Sequence, residues 1–485
     1  MINFKLIYKI IGRLLFTEAF MMFCCLVMSL MYQEDDLLAF LSSTIITVLC
    51  GFILMIMGKD AGKFLSRHDA YFVVTLAWAV FSLMGTLPFI ISGYIPNFTD
   101  AYFETMSGFT TTGATIINNV DIFPHALLFW RSLTQWVGGL GIVFFTIALL
   151  PSLVGGSVKV FSAEATGPIK TKLQPRLSTG AKWIWMVYFI LTVISSVCFY
   201  FGGMNLFDCV NHAMATTATG GFSTHTASMS YFHSPTLEYL GAIFMFLSGI
   251  NFTLFYFSIF KGKVMSLFKN SEFKFYLFIF CVFTLFITFE LVRYNNYDLE
   301  HAFRSSLFQV ATFLTSTGLV SDDAAAWPHI TWVVLAICMF VGACSGSTSG
   351  GFKCVRCVMV LKIIKNEFRQ ILHPNAILPM KIDGVNVPNQ KRVTLLAFLA
   401  IYLILILFNS FAMIIMGINP TDAITITLSS LGNSGPAIGS SIGPTMSWSC
   451  LPTIVKWMCS CMMLIGRLEI FTVLIIFSPS FWKRD

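Results

Sequence analysis

The sequence predicts an all-α integral membrane protein: an N-terminal two-helix hairpin, then four helix–pore loop–helix repeats around one pseudo-fourfold pore. Three observations predict it. Of the 485 residues, 56% are hydrophobic and 11% charged, whereas soluble domains carry about 25% charged residues. With a mean hydropathy of +0.79 over its whole length, the chain is not a soluble enzyme on a single anchor. Its apolar residues come in runs of about 20, the length that crosses about 30 Å of hydrocarbon as helix. Four short Thr/Ser–Gly endings recur at intervals of 107, 98 and 117 residues.

Lys5, Lys9 and Arg13 precede an apolar run that reaches Met31 without a small-residue cleavage site. This reads as a retained first transmembrane helix rather than a signal peptide. Further runs lie at 37–57, 71–93, 183–201 and 395–418. Backbone polar groups in lipid need partners within their own segment, so these runs are expected as helices. A first hairpin, about 12–57, turns outside at Glu34, Asp35 and Asp36. Outward helices follow near 70–93, 183–204, 273–294 and 393–418, with return helices near 125–150, 235–260, 328–371 and 449–478. That makes ten spans. The units divide as a hairpin at 1–66 and pore-loop repeats at 67–158, 159–262, 263–385 and 386–485.

The net charge of +7 does not indicate nucleic acid, because of where the charges lie. The N-terminus, the alternate loops and the C-terminus hold 25 of the 30 Lys and Arg residues. The remaining connections, 32–36, 94–123, 205–235, 294–328 and 419–450, hold only Arg304. This is the positive-inside pattern, and it puts both termini in the cytoplasm. The thirteen Cys are scattered through apolar segments, and Cys354 and Cys357 have no second pair at zinc-ligand distance. They read as small buried hydrophobes. The eight His form no metalloprotease or paired-ligand motif, and no nucleophile motif is present, so the chain reads as no enzyme.

Each external segment holds about ten residues that can form a helix: 100–109, 206–215, 303–313 and 421–430. These are too short to span and suit half-helices that enter from outside and return as extended chain. Such backbone is tolerated only beside protein or a water-filled cavity. The endings read Phe109–Ala114, Thr216–Gly221, Leu314–Leu319 and Leu431–Pro436. Rings of carbonyls on Thr- and Gly-containing loops replace the hydration shell of potassium in channels. Gly supplies the positive φ that aims successive carbonyls one way. Half-helices turn their partially negative C-termini toward a waiting cation. The expected potassium ligands are the carbonyls of Thr111, Thr112 and Gly113; Ala218, Thr219 and Gly220; Ser316, Thr317 and Gly318; and Asn433, Ser434 and Gly435. Sodium or ammonium in the same filter stays open, as does coupled transport. All four repeats start from the same side, unlike the inverted repeats of many secondary transporters.

Residues 101–116 (AYFETMSGFTTTGATI), 211–224 (NHAMATTATGGFST), 314–319 (LTSTGL) and 429–439 (SSLGNSGPAIG) resemble the filter segments of the TrkH/TrkG/KtrB potassium-transporter superfamily. So do 135–142 (QWVGGLGI), 164–168 (EATGP), 342–353 (GACSGSTSGGFK) and 466–478 (GRLEIFTVLIIFS). The resemblance covers essentially the whole chain, and the N-terminal hairpin is more similar to the TrkH branch. It implies potassium uptake in a bacterial inner membrane by a homodimer with one pore per protomer, controlled by a cytoplasmic ring of TrkA-type nucleotide-binding subunits. No organic cofactor is implied. In some plant members a Ser in place of the first filter Gly accompanies sodium permeability. Gly113, Gly220, Gly318 and Gly435 are similar to the potassium-selective branch, while Asn433 and Ser434 depart from its Thr-x-Gly wording.

Two intramembrane features remain. As one helix, Trp327 to Leu372 would run about 70 Å at 1.5 Å per residue, over twice the hydrocarbon core. Its middle, Gly342, Ala343, Cys344, Ser345, Gly346, Ser347, Thr348, Ser349, Gly350 and Gly351, disfavours helix. With the resemblance, this reads as a movable gate beneath the filter; the other reading is a small-residue helix crossing. Arg467 lies inside the last span and faces either the pore or the gate carbonyls; a pair with Glu469, two residues on, would not share a helix face. Arg131 and Lys456 read as snorkelling cations near the outer ends. Glu104 either attracts cations or braces the back of the filter. Asp100, Asp121, Asp208, Asp298, Asp322 and Asp323 read as solvated loop acids, and Lys353 to Arg392 as either orientation charge or a docking surface for the regulatory ring.

Overall fold

The computed structural model describes residues 2–62, 65–141, 177–262, 264–376, 378–439 and 441–483. The expectations that concern residues 142–176, among them Lys159, Lys170, Lys172, Arg176 and the 164–168 motif, lie outside the described residues.

Helices α1 (Phe4–Tyr32) and α2 (Leu37–Met57) form the N-terminal hairpin. They meet at Gly12 and Gly51, where a Cβ on either residue would press on the other's carbonyl. Small residues let two membrane helices approach in this way. Four units of outward helix, half-helix and return helix follow. The first holds α3 (Arg67–Met84), α4 (Phe98–Phe109) and α5 (His125–Leu140). The second holds α6 (Leu177–Phe201), α7 (Leu206–Thr217), α8 (Pro235–Ser248) and α9 (Phe252–Phe260). The third holds α10 (Ser271–Tyr294), α11 (Leu299–Leu314), α12 (His329–Val341) and α13 (Cys354–Leu372). The fourth holds α14 (Asn389–Ile415), α15 (Pro420–Gly432), α16 (Thr453–Arg467) and α17 (Phe471–Leu474).

Among the described residues, α1, α2, α3 with its continuation to Ile91, α6, α10 and α14 are long and apolar enough to cross a membrane. Their outer faces leave Leu38, Leu49, Phe52, Phe289, Phe408 and Phe411 exposed. A continuous apolar band of this kind suits lipid and would be a liability in water. Between α13 and α14 sits a small antiparallel hairpin, β1 (Lys381–Ile382) and β2 (Val385–Asn386), with Lys381 opposite Asn386.

Three of the four half-helices start where capping side chains dictate. Asn97 accepts from the amide of Thr99, Asn205 from Asp208 and Asp298 from Glu300. Such caps satisfy amides that have no partner within the helix. The Asp298 cap explains why α11 begins four residues before the expected 303.

The return helices correct the sequence reading. Continuous helices were expected at 235–260 and 449–478, but α8 and α9 meet at 97° and α16 and the segment after it at 109°. In all four repeats the first piece is short, at 16, 14, 13 and 15 residues. Each ends at or beside a glycine or a left-handed residue: Gly141 at φ 89°, Gly249, Gly342 at φ 68°, and Glu469 and Ile470 at φ 57° and 47°. At about 1.5 Å per residue these pieces span only part of the hydrocarbon. Arg467 is therefore the last residue of a broken helix rather than the middle of a continuous one.

Candidate functional site

The four half-helices end in one repeated backbone pattern. A left-handed residue closes each: Thr111 at φ 54°, Thr219 at 52° and Ser316 at 54°, each one past its helix cap, and Asn433 at 52°, the cap itself. Two residues on stands a glycine with positive φ: Gly113 at 83°, Gly221 at 81°, Gly318 at 90° and Gly435 at 91°. Between them, the amides of Thr112, Gly220, Thr317 and Ser434 each donate to the carbonyl five residues back, on Ser107, Ala215, Thr312 and Ser429. Only glycine takes such φ values without a steric penalty.

This pattern shifts the second repeat by one residue. The residue that matches Gly113, Gly318 and Gly435 is Gly221, and Gly220 takes the place of Thr112, Thr317 and Ser434. Ala218, expected as a ligand, caps its helix, and its carbonyl accepts from the Thr219 hydroxyl at 2.7 Å. The adjacent glycines Gly220 and Gly221 both satisfy a Thr-then-Gly reading, so sequence spacing alone misassigned the register.

The loops meet in a closed ring. A Cβ on Gly113 would strike the Gly220 carbonyl, one on Gly221 the Thr317 carbonyl, one on Gly318 the Ser434 carbonyl and one on Gly435 the Thr112 carbonyl. Each repeat thus touches the next, and the fourth touches the first. All four ring glycines open to one outer cleft, which Arg131, His225 and Trp448 also line.

Behind the ring are braces. Glu104 is fully buried; its carboxylate accepts from Arg131 Nε at 2.9 Å, from the Thr115 hydroxyl at 2.9 Å and from the Ile116 amide at 3.0 Å. Arg131 Nη1 donates to the Ser223 carbonyl at 3.0 Å, and the guanidinium lies 4.1 Å from the centre of the Phe222 ring. Arg131 therefore does not snorkel: it is buried and ties the chain after the first loop to the chain after the second. Lys456 does not snorkel either; its Nζ is 2.7 Å from Asp100 Oδ1, with the lysine side chain 8% exposed.

At the outer mouth His225 Nδ1 lies 2.9 Å from Asp121 and Nε2 3.2 Å from Asp208, with Tyr231 stacked on the ring at 3.6 Å. Burial pulls this imidazole down, but the two carboxylates outweigh it and its pKa stands above the ordinary value. Burial pushes Asp121 up, yet the Thr226 hydroxyl and His225 hold its carboxyl below the usual range. Asp298 and Asp323 cap short helical segments. Asp100, Asp121, Asp208, Asp298 and Asp323 thus serve structure rather than standing as free loop charges.

The segment between α12 and α13 folds back on itself. Phe352 and Lys353 amides donate to Phe340 and Val341 carbonyls at 2.9 and 2.8 Å. It runs along the inner side of the loop endings: the Thr348 hydroxyl donates to the Thr217 carbonyl at 3.1 Å, and the Gly350 amide to the Ser316 hydroxyl at 2.6 Å. A Cβ on Gly350 would strike the Gly432 carbonyl. Arg467 Nη1 donates to the Thr348 carbonyl at 2.8 Å, and Nη2 to Gly138 and Gly139 carbonyls, both at 2.6 Å. These last two carbonyls lie at the C-terminus of α5, where a cation is favoured. Glu469 pairs with Arg356, on α13, and not with Arg467. Sequence reasoning missed Lys353, which is buried, stands at φ 79° and donates to the Ser349 carbonyl. A lysine directly after a glycine-rich intramembrane stretch was the available signal.

Fold and site together define a helical membrane protein with four pore loops closed about one axis. The TrkH family model, described as a cation transport protein, matches residues 37–484, and the chain belongs to that family of transport proteins, which are not enzymes. It is 34% identical over 484 residues to the Trk system potassium uptake protein TrkH of Halomonas elongata, covering 99% of this chain and all of that one. It is 33% identical over 481 residues to the Trk system potassium uptake protein TrkG of Escherichia coli, covering 99% of each. The crystal structure of the potassium transporter TrkH from Vibrio parahaemolyticus matches with a TM-score of 0.89 at 32% identity, covering 99% of this chain and all of that one.

Proposed function

We propose that this chain takes up potassium across a bacterial inner membrane through a channel-like pore with a selectivity filter of backbone carbonyls. The closed ring of loops carries the reading, because it sets the carbonyls of four separate segments side by side. The ligand carbonyls are those of Thr111, Thr112 and Gly113, of Ser316, Thr317 and Gly318, and of Asn433, Ser434 and Gly435. In the second repeat Thr219, Gly220 and Gly221 replace the set that began at Ala218. The names of the relatives, potassium uptake proteins at 33–34% identity over nearly full length, support the choice of ion.

The Gly342–Gly351 segment serves as the gate, and Arg467 holds it against the end of α5. A charged guanidinium here also raises the Coulomb barrier for a cation. The cytoplasmic end of α13 exposes Leu361, Ile364, Phe368, Ile371 and Leu372 on a helix that also carries Lys362, Lys365 and Arg369. This mixed apolar and basic face suits docking of a TrkA-type regulatory ring, with both termini on the same side and the working unit a homodimer.

Flux of potassium, rubidium, sodium and lithium into liposomes holding the purified chain tests the reading. Potassium and rubidium are expected to pass well above sodium and lithium, without a second gradient. Uptake that stops when a sodium or proton gradient is removed would establish coupled symport through the same filter. Equal passage of all four ions would overturn the selectivity assignment.

A further inference from the structure

The ring is fourfold in backbone but not in side chains, and the second quadrant departs furthest. In the first and third quadrants a pair of hydroxyls braces the loop: Thr110 with Thr112 at 2.8 Å, and Thr315 with Thr317 at 2.6 Å. The corresponding second-quadrant residues are Ala218 and Gly220, so both hydroxyls are missing together.

Gln135 occupies the vacated space. A Cβ on Gly220 would collide with its carboxamide. Its Nε2 donates to the Gly220 carbonyl at 2.6 Å, and its Oε1 accepts from the Phe222 amide at 3.1 Å. One side chain therefore fixes the peptides on both sides of the ring glycine Gly221. Gln135 is the eleventh residue of its return helix, α5. The eleventh residues of the other three, α8, α12 and α16, are Met245, Met339 and Met463. All four are fully buried. Methionine fills such a site without directional bonds, whereas a buried carboxamide has to find partners. The departure from methionine falls at the quadrant that lacks both hydroxyls; the fourth, with Gly432 and Ser434, has no hydroxyl pair either, and there Asn433 Nδ2 donates to the Thr112 hydroxyl at 3.0 Å and to the Met463 carbonyl at 2.9 Å.

We infer that Gln135 is a positioning residue for cation selectivity: its carboxamide holds the Gly220 carbonyl in the ring. This rests on the carbonyl-filter reading above. The bond takes one lone pair of that carbonyl, and the second remains for an ion.

The test is the potassium-to-sodium permeability ratio, from reversal potentials under opposed gradients, for the full chain in a bilayer. Gln135→Met copies the other repeats and keeps the volume while removing both bonds. The expected result is a folded, conducting protein whose ratio falls by roughly tenfold, the scale of a lost hydrogen bond to a buried group. Adding Ala218→Thr and Gly220→Thr, which supplies the hydroxyl pair of the first and third quadrants, is expected to restore much of the ratio. Gln135→Glu, which keeps the shape and loses the donor, serves if Gln135→Met does not fold, with the same expected fall. Gly318→Ser, in a different quadrant, is the control for the filter itself. An unchanged ratio in Gly318→Ser overturns the filter reading and this inference with it. A changed ratio there with an unchanged ratio in Gln135→Met overturns the role of Gln135 alone.

Discussion

Two residue-scale features carry consequences for stability. Glu104 and Arg131 are buried together, with side chains 0% and 2% exposed. Removing one partner strands a charge, at about 3–5 kcal/mol, while replacing both with apolar groups is far cheaper. Arg131→Met is therefore expected to lower the melting temperature in detergent sharply, and Glu104→Leu/Arg131→Met to recover much of it. A double variant no better than the single would show that the pair acts only through hydrogen bonds to Thr115, Ile116 and Ser223. The second feature is the His225 clasp. Its pKa is raised by Asp208 and Asp121 against the effect of burial, so its stabilisation is full below the unfolded value of about 6.5 and fades as pH rises through the higher folded value. Asp121 is depressed, so its share persists down to acid pH and is lost only as pH falls through that lower value. The melting-temperature deficit of His225→Gln is expected to be larger at pH 6 than at pH 9; a pH-independent deficit would assign His225 to packing on Tyr231. Neither feature was legible in advance. Sequence position puts Arg131 near a helix end but does not say whether that end meets lipid or protein, and His225 meets its two acids only because loops about 104 and 17 residues away fold onto it.

At the scale of elements, the half-helices were legible because length and caps act locally, and the third break because no membrane helix runs about 70 Å. The breaks in the second and fourth return helices, and the end of α5 at Gly141, were not. Gly138 and Gly139 or Ser248 and Gly249 read equally well as close helix contacts, and in part they are: a Cβ on Gly138 would strike the Phe109 carbonyl. The slip in the second loop arose from two adjacent glycines that only backbone φ distinguishes. The break in the fourth return helix gives Arg467 its place at the end of α16, within reach of both the Gly342–Gly351 segment and α5. Its three hydrogen bonds each involve a charged donor, worth about 1.5–3 kcal/mol apiece. Losing them frees Thr348 from α5, so Arg467→Ala is expected to raise the ion flux of the isolated chain by about tenfold or more. Wild-type conductance in that variant would sink the idea that the residue holds the gate shut.

Across the whole molecule, the Gly342–Gly351 segment is tied to the β1–β2 hairpin by one continuous set of bonds. The turn of the β1–β2 hairpin presents Asp383, whose carboxylate accepts from the Ser271 amide at 2.8 Å, the Ser271 hydroxyl at 2.6 Å and Asn270 Nδ2 at 2.9 Å. Those residues begin α10. The next residue, Glu272, accepts from the amide of Ser345, inside the Gly342–Gly351 segment, and from that of Val355, just beyond its end. The hairpin is also joined to α13 through Lys362 Nζ and the Lys381 carbonyl at 2.8 Å. Any movement of α13 or the hairpin therefore pulls on a helix start that holds the Gly342–Gly351 segment at Ser345 and the start of α13 at Val355. Glu272→Ala removes the carboxylate that accepts from the amides of Ser345 and Val355, a loss of about 1–3 kcal/mol each. The Gly342–Gly351 segment would then open locally far more often than the four loop endings, which keep their own braces. Hydrogen exchange of amides between 342 and 355 is expected to quicken strongly in Glu272→Ala and mildly in Asp383→Ala, with the ring at Thr112, Gly220, Thr317 and Ser434 unchanged. Exchange that quickens equally at the ring would mean that Glu272 holds up the whole core, and exchange that changes nowhere would mean that the gate is held by Arg467 and Ser316 alone.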